Sequence, residues 1–146
     1  MKKLSPLLLL LLTASCSSGL AVDTYPTQPD SAIRCKALFA DGAQKVVGQK
    51  QVLVKDQNAS AWGDPPIILR CGVESPAELG PASRCDMVAG VGWFTDTTAD
   101  GYVFTTIGRQ LFVSVEVPRS YDPAADALVD LADSVKKHDP VVKPCV

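Results

Sequence analysis

Four cysteines that lie far apart in the sequence restrict the folds that this chain can adopt. Cys35, Cys71, Cys85 and Cys145 form an even set downstream of a short leader. An even number of cysteines in an exported chain indicates disulfide bonds. Structural zinc sites are the alternative, but they place pairs of ligands within a few residues of each other, and these cysteines are more widely spaced. The sequence therefore predicts two disulfides, no metal site and no cofactor.

The leader has the parts of a secretory signal. Two lysines precede an apolar run, Leu4–Leu12, and the small residues Ala14 and Ser15 precede Cys16. The run is less than half of the ~20 apolar residues that span a membrane. A cysteine directly after small residues is typical of a lipoprotein signal peptide. We therefore expect removal of residues 1–15 and lipidation of Cys16, with palmitate or a similar acyl chain. An ordinary cleavage nearby, which would leave a free thiol, is the alternative.

Residues 16–146 are enough for one domain with its own core. Loss of Lys2 and Lys3 with the leader takes the formal charge from −2 for the whole chain to −4 for residues 16–146. Because no basic stripe is present, nucleic acid is not an expected partner. Two acyl chains hold a protein stably at a membrane. The expected partner is therefore the membrane, bound through the lipid anchor at Cys16. We predict a lipidated tether over residues 16–29 and a single domain over residues 30–146.

The pattern of apolar residues predicts two helices. Asp30 or Ser31 can cap the first, which runs to about Ala40 and turns Cys35 toward the core. Asp122-Pro123 is typical of the start of the second helix, which continues to about Lys137.

About five strands are predicted between the helices. Gly108 and Arg109 suit a two-residue type II′ turn that joins the last two strands. The expected fold is α+β, with an antiparallel sheet and with both helices on one face of it. The predicted strands are Val46–Lys55, Ile67–Val73, Met87–Thr95, Tyr102–Ile107 and Gln110–Val117, with a loop over residues 57–66.

The orientation of the elements favours one disulfide map. Cys35 faces the sheet from the first helix, and Cys71 faces the helices from a strand. Pairing these two leaves Cys85 to bind Cys145 and pin the C-terminal tail. Cys71–Cys85 with Cys35–Cys145 is the other possibility, since the sequence alone does not fix connectivity.

Three stretches resemble one family. They are Trp62-Gly63-Asp64-Pro65-Pro66 running into Leu69-Arg70-Cys71-Gly72, then Val91-Gly92-Trp93-Phe94, then Thr105-Thr106-Ile107-Gly108-Arg109. Together they are similar to the actinobacterial envelope family called domain of unknown function 3515. Phe39-Ala40-Asp41-Gly42 departs from the Leu-Pro that members often carry after the first helix. The resemblance implies an exported, membrane-anchored domain with no assigned chemistry.

Four residues are candidates for a binding site. Arg70 and Arg109 could clamp a carboxylate or phosphate, because a guanidinium holds such groups with two hydrogen bonds. The structural alternatives are an ion pair of Arg70 with Glu116 and a solvated Arg109. Trp62 and Asp64 lie in the Gly-Asp-Pro-Pro corner and could line a groove. The alternative for Trp62 is a buried ring that fixes the corner.

No catalytic set is evident, since nucleophilic catalysis needs a nucleophile beside a base and the one histidine, His138, follows two lysines near the end of the chain. Asp96 and Asp100 are better explained as turn residues than as metal ligands. We therefore expect a non-catalytic domain that binds a ligand, an envelope protein or a cell-wall partner at the extracytoplasmic face of the cell membrane. The alternatives are an envelope hydrolase that uses carboxylates and a structural accessory of a cell-wall complex.

Overall fold

A computed structural model describes residues 18–145, so the predicted signal peptide and Cys16 lie outside the described residues. Two helices and eight strands make up the described part. A single 3₁₀ turn, Arg119–Tyr121, joins the last strand to the second helix. The helices are α1 (Ala32–Ala40) and α2 (Ala125–His138), and the strands are β1 (Lys45–Val46), β2 (Gln49–Val52), β3 (Ser60–Trp62), β4 (Ile67–Cys71), β5 (Asp86–Val88), β6 (Val91–Thr97), β7 (Gly101–Thr106) and β8 (Val113–Pro118).

The strands form one antiparallel sheet in the order β1-β2-β3-β4-β8-β7-β6-β5. The predicted α+β class is confirmed, but the prediction of about five strands is wrong. Val47 and Gly48 reverse the chain between β1 and β2, and Ala89 and Gly90 do so between β5 and β6. All four have positive φ, as a two-residue type I′ turn requires. Two segments predicted as single strands are therefore hairpins, and β3 lies in the predicted 57–66 loop.

Both helices cover one face of the sheet and bury the main core there. Leu69 of β4 lies opposite Val115 of β8, which in turn lies opposite Phe104 of β7. These three side chains therefore lie on the face that the helices cover. The apolar stripe of α2 is buried against this face. Core residues from the helices are Cys35, Leu38, Ala127, Leu128, Leu131, Ala132 and Val135, and those from the sheet include Trp62, Ile67, Leu69, Trp93, Phe104, Val113, Val115 and Val117.

The helix boundaries follow the local backbone. α1 begins after Ser31 and ends at Ala40, close to the prediction. α2 does not begin at Asp122, because that residue is extended, with ψ 132°, after the 3₁₀ turn. The N-cap of α2 is Ala124. None of the helices among residues 18–145 is long and apolar enough to cross a membrane.

The N-terminal segment, residues 18–29, lies against the domain instead of extending away from it. The backbone of Leu20 exchanges hydrogen bonds with Leu53 (2.7 Å) and Lys55 (2.9 Å). Val22 is buried in a small second cluster with Val54, Ala59 and Ala61. Ala61 alternates with inward-facing Trp62, so this cluster covers the face opposite the helices. The predicted tether over residues 16–29 is therefore folded from Leu20 onward.

The connection between β7 and β8 is a loop, residues 107–112, and not the predicted two-residue turn. The carbonyl oxygen of Gly108 accepts hydrogen bonds from the backbone N–H groups of Val142 (2.8 Å) and Lys143 (2.9 Å). Arg109 pairs with Val141 in an isolated bridge. The prediction was wrong because the C-terminal segment, residues 139–145, supplies partners that no local pattern reveals.

Two disulfides hold these pieces together. Cys35 of α1 is bonded to Cys71 of β4, with their Cα atoms 5.5 Å apart. Cys85 is bonded to Cys145, with a Cα separation of 6.1 Å, and this bond ties the C-terminal segment to the strand β5. The pairing is the one that the orientation of the helix and strand favoured from sequence.

Candidate functional site

A groove of about 890 Å³ opens between α1, the β2–β3 hairpin and the N-terminal segment. Pockets of roughly 300–1,000 Å³ are typical of small-molecule sites. The disulfide Cys35–Cys71 contributes to the groove lining, and Phe39 of α1 contributes an aromatic side chain. We refer to this feature as the α1 groove. It is lined by Thr24, Tyr25, Thr27, Ser31, Ala32, Cys35, Lys36, Phe39, Ala40, Gln51, Val52, Leu53, Val54, Gln57, Asn58, Ala59, Ser60 and Cys71.

The groove opens on the side of α1 that faces β2 and β3, while α1 is attached to β4 and to α2. The disulfide holds α1 to β4, and Asp41 at its end bonds Lys137 and His138 of α2. Toward β2 and β3 the lining includes small side chains, Ala32 and Ala40 on the helix and Ala59 on the sheet side. Small side chains on both walls leave a space where larger ones would have closed the core.

One wall of the groove is built by hydrogen bonds from the N-terminal segment. The hydroxyl of Tyr25 donates to the carbonyl of Asn58 (2.8 Å) and accepts from the backbone N–H of Cys71 (3.1 Å). Burial raises the pKa of Tyr25 above its usual value, so the phenol stays neutral. The Asn58 amide donates to the carbonyl of Val22 (3.2 Å). These bonds fix the wall in place before any ligand arrives.

Electrostatically the α1 groove is almost neutral. Its lining combines apolar side chains with hydroxyl and amide groups, and Lys36 is the one charged side chain among the residues that line it. Lys36 is exposed on α1, so its ammonium lies at the rim. The arrangement can hold an uncharged or apolar body inside the groove and one negative charge at the edge.

Trp62 and Asp64 do not line this groove. Trp62 is fully buried in the core, where its indole N–H donates to the carbonyl of Ala43 (2.8 Å). Trp62 is therefore a buried core residue, as the alternative to a groove residue proposed. Asp64 is exposed at the corner that follows β3. Neither residue reaches the groove, because the Trp62 ring lies inside the core and the Asp64 carboxylate lies at the protein surface.

Arg70 forms the predicted ion pair. Its guanidinium lies 3.0 Å from the carboxylate of Glu116 on the neighbouring strand β8. Both side chains lie on the sheet face that the helices do not cover, since Leu69 and Val115 face the helices. Arg70 does not line the α1 groove, and its observed role is a cross-strand contact.

Arg109 is buried, so the expectation of a solvated side chain is wrong. Its guanidinium donates to the carbonyl oxygens of Asp139 and of Gly90, the latter at 3.3 Å. Asp139 is also buried, and its carboxylate accepts from the backbone N–H of Leu111 (2.9 Å). Burial lowers the pKa of Arg109 and raises the pKa of Asp139. We call Arg109 and the C-terminal segment, which begins at Asp139, the latch. They join the β5–β6 turn at Gly90, the 107–112 loop and the end of α2.

A second, smaller cavity of about 420 Å³ lies near the start of β7 and the end of β8. Asp100 and Glu116 contribute carboxylates to its lining, and Arg119 lies over the ring of Tyr102, 5.5 Å from its centre. Among residues 18–145, no group of three or more potential ligands is placed to hold a metal ion.

Sequence reasoning missed the α1 groove because its walls come from three separate segments. The N-terminal segment had been interpreted as a tether, and β3 as part of a loop. The available signal was the pair of small residues at the two ends of the first helix, Ala32 and Ala40, both of which line the groove. The lipidation site, Cys16, lies outside the described residues.

Comparison with known proteins identifies a family and nothing closer. A family model described as "Protein of unknown function (DUF3515)" matches residues 8–143. No curated protein matches the chain. No solved structure matches it either.

Proposed function

The chain belongs to the DUF3515 family of proteins of unknown function, and we propose that it is a non-catalytic binding protein of the cell envelope. In this proposal lipid on Cys16 holds the domain at the extracytoplasmic face of the membrane, and the α1 groove receives the ligand. The observation that carries the proposal is the groove itself, whose volume of about 890 Å³ lies within the range of small-molecule sites.

The chemistry of the lining supports binding. Hydroxyl and amide groups such as those of Thr27, Gln51 and Ser60 orient a ligand through hydrogen bonds, while Phe39 and Val52 offer apolar contact. The walls are preformed, because the Cys35–Cys71 bond and the Tyr25 hydrogen bonds hold them. A preformed site spends little of its binding energy on ordering side chains.

The experiment uses the mature chain, residues 16–146, with Cys16→Ser so that it is free of lipid. Its thermal unfolding midpoint is measured with fractions of its own envelope, divided into lipids, soluble wall fragments and proteins. A ligand that binds only the folded state raises this midpoint. We expect one fraction to raise the unfolding midpoint of the chain with the unaltered groove. The same fraction should leave the midpoint of Ala32→Trp unchanged, because the tryptophan fills the groove from an exposed position of α1.

Arg70→Ala is the matched control. It removes a charged side chain that lies outside the groove, so the response to the active fraction should persist. A midpoint that no fraction changes would refute the binding proposal. A response that survives Ala32→Trp but is lost in Arg70→Ala would move the site to the other sheet face.

A second candidate function is an envelope hydrolase at the smaller cavity, which is favoured by one observation. Asp100 and Glu116 both line it, and Arg70 contacts Glu116. Paired carboxylates are the usual acid and base of glycoside hydrolysis. Release of soluble sugar from purified cell wall, abolished by Glu116→Gln but not by Ala32→Trp, would establish this candidate over the first.

A further inference from the structure

We infer that the ligand of the α1 groove is an anionic lipid of the membrane, with an acyl chain inside the groove and its head group beside Lys36. This inference rests on the proposed function, because it names the ligand of the same site. It commits to a lipid drawn from the surrounding leaflet. A lipid attached to the protein itself is treated below as a competing outcome.

The first step concerns where the chain leaves the fold. Leu20 forms a bridge with Val54, and a Cβ atom placed on Gly19 would lie 2.9 Å from the carbonyl oxygen of Leu53. Leu53 and Val54 both line the α1 groove. The described chain therefore begins at the rim of the groove.

The second step concerns reach. Gly19 follows Cys16 by three positions, and an extended chain spans at most about 3.5 Å per residue. A lipid on Cys16 would then hold this rim within about 10 Å of the attachment point. Such a short link gives a ligand in the same leaflet a high effective concentration at the groove.

The third step concerns apolar surface. Leu53 lines the groove and is 62% exposed, whereas its neighbour Val54 is buried. From the rim, Val52, Val54 and Phe39 continue the apolar lining. Burial of the CH₂ groups of an acyl chain against such a lining is favourable, because it removes apolar surface from water. An exposed leucine at the entrance provides the first contact for such a chain.

The fourth step concerns charge. The domain is acidic overall. The whole chain has a formal charge of −2, and residues 16–146, which lack Lys2 and Lys3, have a formal charge of −4. A negative head group is therefore repelled by most of the surface. Lys36 supplies the one positive charge among the groove residues, and it is exposed on α1. The charge pattern matches a ligand that is apolar over most of its length and negative at one end.

Lipid transfer tests the inference directly. The lipid-free mature chain, Cys16→Ser, is mixed with phosphatidylcholine vesicles that carry pyrene-labelled phosphatidylglycerol. Extraction of the probe from the bilayer replaces excimer emission with monomer emission. We expect transfer to saturate near one probe per protein, and to fall about tenfold or more with Leu53→Asp. Lys36→Glu should lower transfer of the anionic probe by more than that of pyrene-labelled phosphatidylcholine.

Val129→Asp is the matched control, because Val129 is also an exposed apolar residue, 53% accessible, but lies on α2 outside the groove. Its transfer should equal that of the parent chain. Equal loss in Val129→Asp and Leu53→Asp would show a general loss of surface apolarity and would overturn the inference. Unchanged transfer in Leu53→Asp would overturn it as well.

Two further outcomes separate the sources and the proposals. If the lipidated chain transfers no probe while the lipid-free chain does, its own acyl chain occupies the groove and the inference fails. If no lipid is transferred but soluble wall fragments raise the unfolding midpoint, binding by the groove survives and the lipid identity fails. If neither lipid nor wall fragment acts, both fail together.

Discussion

The two halves of the sheet are closed in different ways. In the half formed by β1–β4, α1 and the N-terminal segment leave a groove between them. In the half formed by β5–β8, α2 and the latch fill the space with buried side chains, including Leu131, Val135 and Arg109. We call these the groove half and the latch half. Both halves contribute to the main core, through residues such as Trp62 and Ile67 in one and Trp93 and Val115 in the other. The difference is the open groove beside one half, and binding regions commonly lie in such less tightly packed parts of a fold.

Removing either disulfide gives the largest expected effect and compares the halves directly. Loop closure predicts a loss of about 4 kcal/mol in unfolding free energy for each bond, since the bonded cysteines are 36 and 60 residues apart. The double variant Cys35→Ser with Cys71→Ser should also weaken ligand binding, because it releases a wall of the groove. The variant Cys85→Ser with Cys145→Ser should not.

Urea unfolding and the lipid-transfer assay, run on both double variants, check this comparison. The two stability losses act as controls for each other, since they are of similar size. Equal loss of transfer in both variants would show that the halves are not independent.

Arg109→Ala should lower the unfolding free energy by about 3 kcal/mol. Truncation removes the hydrogen bonds to the carbonyls of Asp139 and Gly90, and it leaves the carboxylate of Asp139 buried without its nearby cation. Arg119→Ala is the control, because that arginine makes one side-chain hydrogen bond at the surface and otherwise lies over the ring of Tyr102. Chemical denaturation should give less than about 1 kcal/mol for it. Equal effects in the two variants would contradict a structural latch.

Acidification should affect the two halves in opposite directions. Hydrogen bonds from Lys137 and His138 hold the pKa of Asp41 below its usual value. Its stabilising contribution is thus present above the unfolded pKa and is lost as the pH falls through the lowered folded pKa. Burial raises the pKa of Asp139. Its ionised form therefore opposes folding at neutral pH, and that penalty disappears as the pH falls through the raised pKa.

Unfolding free energies of Asp41→Asn and Asp139→Asn, measured against the parent from pH 7 to pH 3, test both signs. The advantage of the parent over Asp41→Asn should shrink with acid. Its stability relative to Asp139→Asn should instead grow. Parallel pH profiles for the two variants would contradict the assigned shifts.

The smallest expected effect is a gain at the β5–β6 turn. Ala89 is exposed and has φ 47°, a conformation in which asparagine is favoured over alanine. Ala89→Asn should raise the unfolding free energy by about 0.5 kcal/mol, as turn optimisation commonly does. Thermal unfolding checks it, with lipid transfer unchanged because the turn is in the latch half. A lower unfolding midpoint would contradict the type I′ assignment.

Prediction from sequence succeeded where a pattern is local. The apolar pattern predicted the first helix close to its observed bounds, and the orientation of Cys35 and Cys71 predicted the observed disulfide. Hairpins at Val47 and Ala89 were missed, because valine and alanine are unusual at positive φ and only the glycine that follows each is a turn signal. Those conformations are imposed by packing of the whole sheet.

The candidate site was predicted less well than the fold. Arg70 met Glu116 because strand alternation placed both on one face. Arg109 became buried because residues 139–145, distant in sequence, fold over its loop. The α1 groove depends on space between three segments, and empty space has no residue type of its own to mark it. Only coordinates reveal such a feature.

The disulfide pairing has a mechanical consequence. Tension applied between Cys16 and the C-terminal residue would pass through both covalent cross-links. The Cys85–Cys145 bond carries force past residues 86–144, and the Cys35–Cys71 bond carries it past residues 36–70. The sheet and both ends of α2 are thereby shielded from the load, which the segments 17–34 and 72–84 alone must bear. If lipid on Cys16 anchors the domain as proposed, a pull away from the membrane would load the N-terminal segment, which borders the groove, and residues 72–84 before any strand of the sheet.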